Sequence, residues 1–103
     1  MRFPWSNIRT TAVPDAGTRW QPTTDVTSVV HGDRTVLMDL RSEQFFTLDD
    51  VGARIWESLG RTATVDEITA SLVQIYDAPA AEVRRDVEAF VADLSRDGLI
   101  REA

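Results

Sequence analysis

The sequence predicts one α+β domain in which a three-stranded antiparallel sheet is followed by three helices. Residues 26–47 run in short β-rich segments broken by turn residues, and residues 48–94 carry apolar side chains at helical spacing. The chain has 103 residues, which leaves room for one core and not two.

Val26-Thr27-Ser28-Val29-Val30-His31 and Arg34-Thr35-Val36-Leu37-Met38-Asp39-Leu40 are separated by Gly32-Asp33, a two-residue hairpin signal. A turn at Arg41-Ser42-Glu43 leads into Gln44-Phe45-Phe46-Thr47, so the three runs form a meander. Such a sheet is marginal by itself and leaves two open edges, so one face must be buried against another layer. Leu48, Val51, Ile55, Trp56 and Leu59 supply a first helical stripe, with Thr47 or Asp49 to cap its start and Gly60 to stop it. Thr64-Val65-Asp66-Glu67 fits a capping box, and the second stripe follows as Val65, Ile68, Leu72, Ile75 and Tyr76. Pro79 suits the first turn of a third helix with the stripe Val83, Val87, Phe90, Val91 and Leu94, which Gly98 ends. Leu99 and Ile100 then return to the core. Gly52, inside the first helical pattern, implies close packing against a neighbour.

Residues 1–24 hold three of the four prolines (Pro4, Pro14, Pro22) with Ser6, Thr10, Thr11, Thr18 and Thr23 and no sustained period. They read as a loosely ordered arm in front of a domain at 25–103. Trp5 and Trp20 within it are expected to cover the flank of that domain.

Hydrophobic residues make up 43% and charged residues 27%, the balance of a globular chain. The absence of cysteine excludes a disulfide framework, a thiolate metal site and a cysteine nucleophile, and makes the cytoplasm the expected compartment. No stretch approaches the roughly 18 apolar residues of a membrane span, so a soluble protein with no membrane role is expected. Seventeen acidic residues face eleven basic ones, all arginine, for a net charge of -6. That sign repels phosphate backbones and anionic headgroups.

The chemistry available is sparse. His31 is the only histidine, lies at a hairpin turn and has no second imidazole or cysteine to complete a metal site. Asp49-Asp50 and Asp66-Glu67 fall at helix starts, where capping and the helix dipole account for them. The five glycines are dispersed and make no phosphate loop. No catalytic residue, metal or cofactor is expected. Three helices beside a small sheet also describe a winged helix, a DNA-binding fold. Here Asp77, Glu82, Asp86, Glu88, Asp93 and Asp97 outnumber Arg84, Arg85 and Arg96 along the longest helix, which argues against nucleic acid.

What remains is an open sheet edge beside a helix, a geometry that takes an extended peptide as an added strand. Glu43-Gln44-Phe45-Phe46-Thr47 offers that edge, and one of its two phenylalanines is expected to point into the core because successive residues face opposite sides. A proline at Gln44 or Phe46 should block docking at whichever position turns its amide to the peptide.

Val36-Leu37-Met38-Asp39-Leu40, Phe45-Phe46-Thr47-Leu48, Gly52-Ala53-Arg54-Ile55-Trp56, Thr64-Val65-Asp66-Glu67-Ile68, Asp86-Val87, Phe90, Leu94 and Gly98-Leu99-Ile100 occur in this order. In them the chain resembles the PqqD-like proteins, the precursor-recognition elements of ribosomally made peptides, and most nearly the stand-alone members of lasso-peptide biosynthesis. The resemblance implies a winged-helix-like, non-catalytic domain that binds the leader segment of a precursor peptide. It also implies delivery of that precursor to a leader peptidase and a macrocyclase. Carried onto this chain, the docking edge is Gln44, Phe45, Phe46 and Thr47, and the helix wall is drawn from Val83, Arg84, Val87 and Val91, with Asp86 or Asp93 as an acidic rim. Relatives often have glycine where this chain has Glu43, which makes a left-handed turn there more costly. They often have asparagine where it has Asp49, which caps equally well. Two other readings are a peptide chaperone for a radical enzyme in quinone-cofactor biosynthesis and a winged-helix transcriptional regulator. Neighbouring genes separate the first from the lasso reading, and salt-dependent DNA binding would support the second.

Overall fold

The computed structural model describes residues 17–103. Its elements are β1 (Arg19–Pro22), β2 (Val26–His31), β3 (Arg34–Asp39), β4 (Gln44–Leu48), α1 (Asp50–Gly60), β5 (Ala63–Thr64), α2 (Val65–Val73), α3 (Ala80–Arg96) and β6 (Ile100–Glu102). The predicted meander is present as an antiparallel sheet in the order β2-β3-β4, and three helices follow it. Gly32 takes φ +64° in the hairpin turn, a conformation open to glycine at no steric cost.

A second antiparallel sheet, β5-β1-β6, has no counterpart in the sequence reading. Its strands are two to four residues long, too short to show alternation. Arg19–Pro22, expected in a loosely ordered arm, is the central strand of this sheet. Trp20 is 8% exposed and belongs to the core, so it covers the domain as expected. Trp5 and the rest of the arm before residue 17 lie outside the described residues. Arg19 also makes two hydrogen bonds to the Glu67 carboxylate, at 3.1 and 3.0 Å, which tie β1 to α2.

The helix signals hold with small corrections. Asp49, not Thr47, caps α1, its carboxylate accepting the Gly52 amide at 2.8 Å. Leu48 closes β4 rather than opening the helix. A Cβ at Gly52 would stand 3.4 Å from both Asp49 Oδ1 and Leu48 Cβ, an ordinary contact rather than a tight one. The Thr64 hydroxyl accepts the Glu67 amide and the Glu67 carboxylate accepts the Thr64 amide, both at 3.1 Å, the predicted capping box. Glu67, held first by Arg19 and then by the Thr64 amide, has its pKa lowered. Because α2 ends at Val73, Ile75 leaves the stripe and is 49% exposed. Tyr76 still packs against the core and donates its hydroxyl to Asp50. Pro79 sits one position earlier than expected, as the N-cap of α3.

One cluster unites both sheets and all helices: Trp20, Leu37, Leu48, Ile55, Leu59, Ile68, Leu72, Phe90, Leu94 and Leu99 are among its buried members. Burial of each such side chain contributes about 1.5–3 kcal/mol, and this is what holds the otherwise marginal meander. Among the described residues no helix is long and apolar enough to cross a membrane.

Candidate functional site

β4 is one edge of the β2-β3-β4 sheet, and the strand register decides which of its backbone groups are free. The Leu40 amide donates to the Asp25 carbonyl at 2.9 Å, one step beyond the Val26↔Asp39 pair. In an antiparallel ladder, opposed pairs that exchange hydrogen bonds alternate with pairs that do not. Arg34, Val36 and Met38 therefore turn their backbone groups to β2, and Thr35, Leu37 and Asp39 turn theirs to β4. Through the pairs Thr35↔Leu48, Leu37↔Phe46 and Asp39↔Gln44, the residues Gln44, Phe46 and Leu48 are spent on β3. Phe45 and Thr47 hold their N–H and C=O groups outward. The sequence reading named Gln44 and Phe46 as positions for an edge-blocking proline; the ladder moves that role to Phe45 and Thr47.

The side chains follow the same parity. Phe46 is half-buried and packs on the core, whereas Phe45 is 68% exposed on the other face of the sheet, opposite Met38. Thr47 is exposed on that outer face, and Gln44 is exposed at the start of the strand.

The turn before β4 is built by its own polar groups. Asp39, 3% exposed, accepts the Ser42 hydroxyl at 2.8 Å and the Arg41 amide at 3.1 Å. The Ser42 bond, chiefly, with the backbone amides and the Arg41 charge, holds the Asp39 carboxyl below its ordinary pKa. Glu43 has φ +59°, the left-handed conformation that glycine would take without strain. The Arg41 side chain reaches the end of α3: its Nη2 lies 2.9 Å from where a Cβ on Gly98 would stand, and Gly98 itself has φ +77°. The turn before β4 therefore lies within an arginine's reach of the C-terminal end of α3.

The helix wall departs from expectation. Val83, Val87 and Val91 have 0% exposure and are core residues, because the same three-and-four spacing that marks a groove wall marks the buried stripe. Asp93 is no solvent-facing rim either. It is 0% exposed, with Arg96 Nη2 3.1 Å from its Oδ1. Burial pushes the Asp93 pKa up, and the Arg96 charge opposes that shift only in part. Arg84 and Asp86 are half-buried and retain surface. Arg84 is paired with Asp66 of α2 and lies 3.9 Å from Glu88. Ala89 and Ala92 are half-buried on α3 as well. His31 is exposed at the hairpin turn, away from these groups in the chain.

The family described as Coenzyme PQQ synthesis protein D (PqqD) matches residues 34–100. A protein of Rhizobium meliloti (strain 1021) named PqqA binding protein is 36% identical over 62 residues, which are 60% of this chain and 61% of the relative. The chain thus matches about three fifths of that relative's length. The solved structure of TbiB1 in complex with the TbiA(beta) leader peptide is 30% identical, with a TM-score of 0.74 over 79% of this chain and 94% of that one. A lasso peptide synthetase B1 complexed with the leader peptide shares the fold at 22% identity, with a TM-score of 0.73 over 80% and 96% of the two chains.

Proposed function

We propose, for a chain that belongs to the PqqD family, that it binds the leader segment of a ribosomally made precursor peptide as an added strand on β4 and presents that precursor to maturation enzymes. The observation that carries this reading is the outward row of backbone groups on Phe45 and Thr47. An extended leader satisfies those groups while its alternate side chains fall on the two faces of the sheet. On the outer face they meet Phe45. On the inner face they approach Phe46 and the partly exposed Asp86, on the flank of α3 away from the Arg84–Asp66 pair, with Val83, Val87 and Val91 supporting the helix from beneath. The likeness in fold to TbiB1 and to a lasso peptide synthetase B1, both solved with a leader peptide, supports the reading.

The protein acts as an adaptor with no chemistry of its own, and a leader peptidase and a macrocyclase are the partners of the lasso type. The sequence kinship with a PqqA binding protein favours a second precursor class, that of quinone-cofactor biosynthesis with a radical enzyme as recipient. Titration of the purified protein with a synthetic lasso-type leader and, separately, with a PqqA-type peptide tests both. Saturable binding of one peptide assigns the class, and binding of neither overturns leader recognition.

A further inference from the structure

Opposed residues of an antiparallel pair share a face, so the register lays out the side of the β2-β3-β4 sheet that turns away from the core. One row across it is Thr27, Met38 and Phe45, and the next is Val29, Val36 and Thr47. Leu37 and Leu48, at 0% exposure, and the core-packed Phe46 lie on the opposite face. A sheet with one solvated face ordinarily carries polar side chains there. Here Val29, Val36, Met38 and Phe45 are apolar, and no member of either row is charged. Phe45 is 68% exposed, while Met38 and Val36, on the central strand, are half-buried. Phe45 and Thr47 are also the residues whose backbone groups point outward. A strand added to β4 in either direction therefore sets one residue opposite Phe45 and, two residues along, another opposite Thr47, both on this face.

We propose that this outer face selects the leader, by a large apolar side chain opposite Phe45 and an apolar or β-branched one two residues away opposite Thr47. The proposal rests on leader docking at β4 and adds the chemical class of the side chains accepted there. Directly opposed Cβ atoms are about 4.5–5.5 Å apart, close enough for the leader side chain to cover the exposed Phe45 ring, and aromatic rings pair well with aromatic or β-branched neighbours. A cation is the other group that an aromatic face attracts. Neither row holds a carboxylate to receive its charge, and Met38 beside the ring offers only a thioether. A lysine opposite Phe45 would thus give up water without gaining an anionic partner. Thr47, with Val36 next to it, suits a β-branched neighbour. Val29 stands three strand spacings from an added strand, roughly 14 Å, and lies beyond its reach.

The test is calorimetric titration of the full chain with the synthetic leader that binds it, and with single-alanine variants of that peptide. Phe45→Thr keeps a strand-forming residue at an exposed position; folded by circular dichroism, it should bind the leader about fivefold more weakly. Val29→Thr on the same face should bind as the wild type does. At one leader position alanine should weaken binding to the wild type but not to Phe45→Thr, and lysine at that position should weaken it further. The position coupled in the same way to Thr47→Ala should lie two residues along. Equal affinity of the wild type and Phe45→Thr overturns the proposal. So do a lysine variant that binds as tightly as the parent peptide, coupled positions that are adjacent, and an equal loss in Val29→Thr. In each of these cases the leader still binds the wild type, so the proposed function stands; binding of no leader at all overturns both.

Discussion

The Thr47→Pro substitution separates docking on β4 from folding of β4. The Thr47 amide points away from β3, so proline there deletes no bond of the ladder, and the preceding Phe46 already has the extended backbone that proline demands of its neighbour. A leader strand on this edge would lose one N–H donor, leaving one of its carbonyls without a partner. An unsatisfied buried acceptor costs about 1–3 kcal/mol, roughly a 5- to 150-fold rise in Kd. Phe46→Pro makes the contrast: its amide faces β3, its side chain packs on the core, and the same substitution should cost about 3 kcal/mol or more of stability. Ser28→Pro on the far edge should leave leader affinity unchanged. Affinity is measured by calorimetric titration of a synthetic leader, and folding by urea denaturation. A folded Thr47→Pro chain that binds the leader as tightly as the wild type would falsify docking on this edge.

Four further outcomes are expected. Asp93 has a raised pKa in the fold, so the folded state holds its proton more tightly and the stability from that proton is lost as pH rises through the raised value. Asp93→Asn should accordingly be more stable than the wild type at pH 7 in denaturant melts, the difference closing below about pH 4. Asp39 has the opposite sign: its pKa is lowered, so its contribution is present above the ordinary carboxylate range and disappears as pH falls through the folded value. Asp39→Asn should destabilise at pH 7 and lose that effect in acid; a pH-independent difference would mean the turn does not depend on the charge. Glu43→Gly relieves a left-handed residue costing about 1–2 kcal/mol against the added flexibility of glycine, about 0.5–1 kcal/mol. Stability should rise by up to about 1.5 kcal/mol, and a clear loss would contradict the φ of +59°. Thr64→Ala removes half of the capping box and should cost about 0.5–2 kcal/mol in the same melts.

The elements with strong local chemistry were legible in the sequence. Gly32-Asp33, the Asp49 cap alternative and the Thr64/Glu67 pair each carry a mechanism that works within four residues, and each appears where expected. β1 was not legible, because Pro22 and the prolines before it suggest a loop and the strand exists only through partners far along the chain. The docking edge was legible as a segment but not in its parity. Alternation says that Phe45 and Phe46 differ, yet which amides are outward depends on the register across the Arg41–Glu43 turn, and no local signal sets that register. Val83, Val87 and Val91 were misplaced for a related reason. Helical spacing identifies a face, and a buried face and a groove-lining face share the same period.

The placement of β1 has a kinetic consequence. Its partners lie in two distant parts of the chain: Arg19 bonds to the Thr62 carbonyl 43 residues away, and the Thr23 hydroxyl bonds to Leu99 76 residues away. Contacts of such long range are slow to form, since the entropy of closing the intervening loop is lost before any bond is gained. The meander and the α2–α3 pair rest on short-range contacts and are free to assemble first. The seating of Trp20 is then expected to close the folding reaction, and its release to open the unfolding one. Amide exchange in residues 19–21 and Ile100–Glu102 should therefore outpace that of the helices, reporting a clasp whose release draws Trp20 and Ile100 out of the core first.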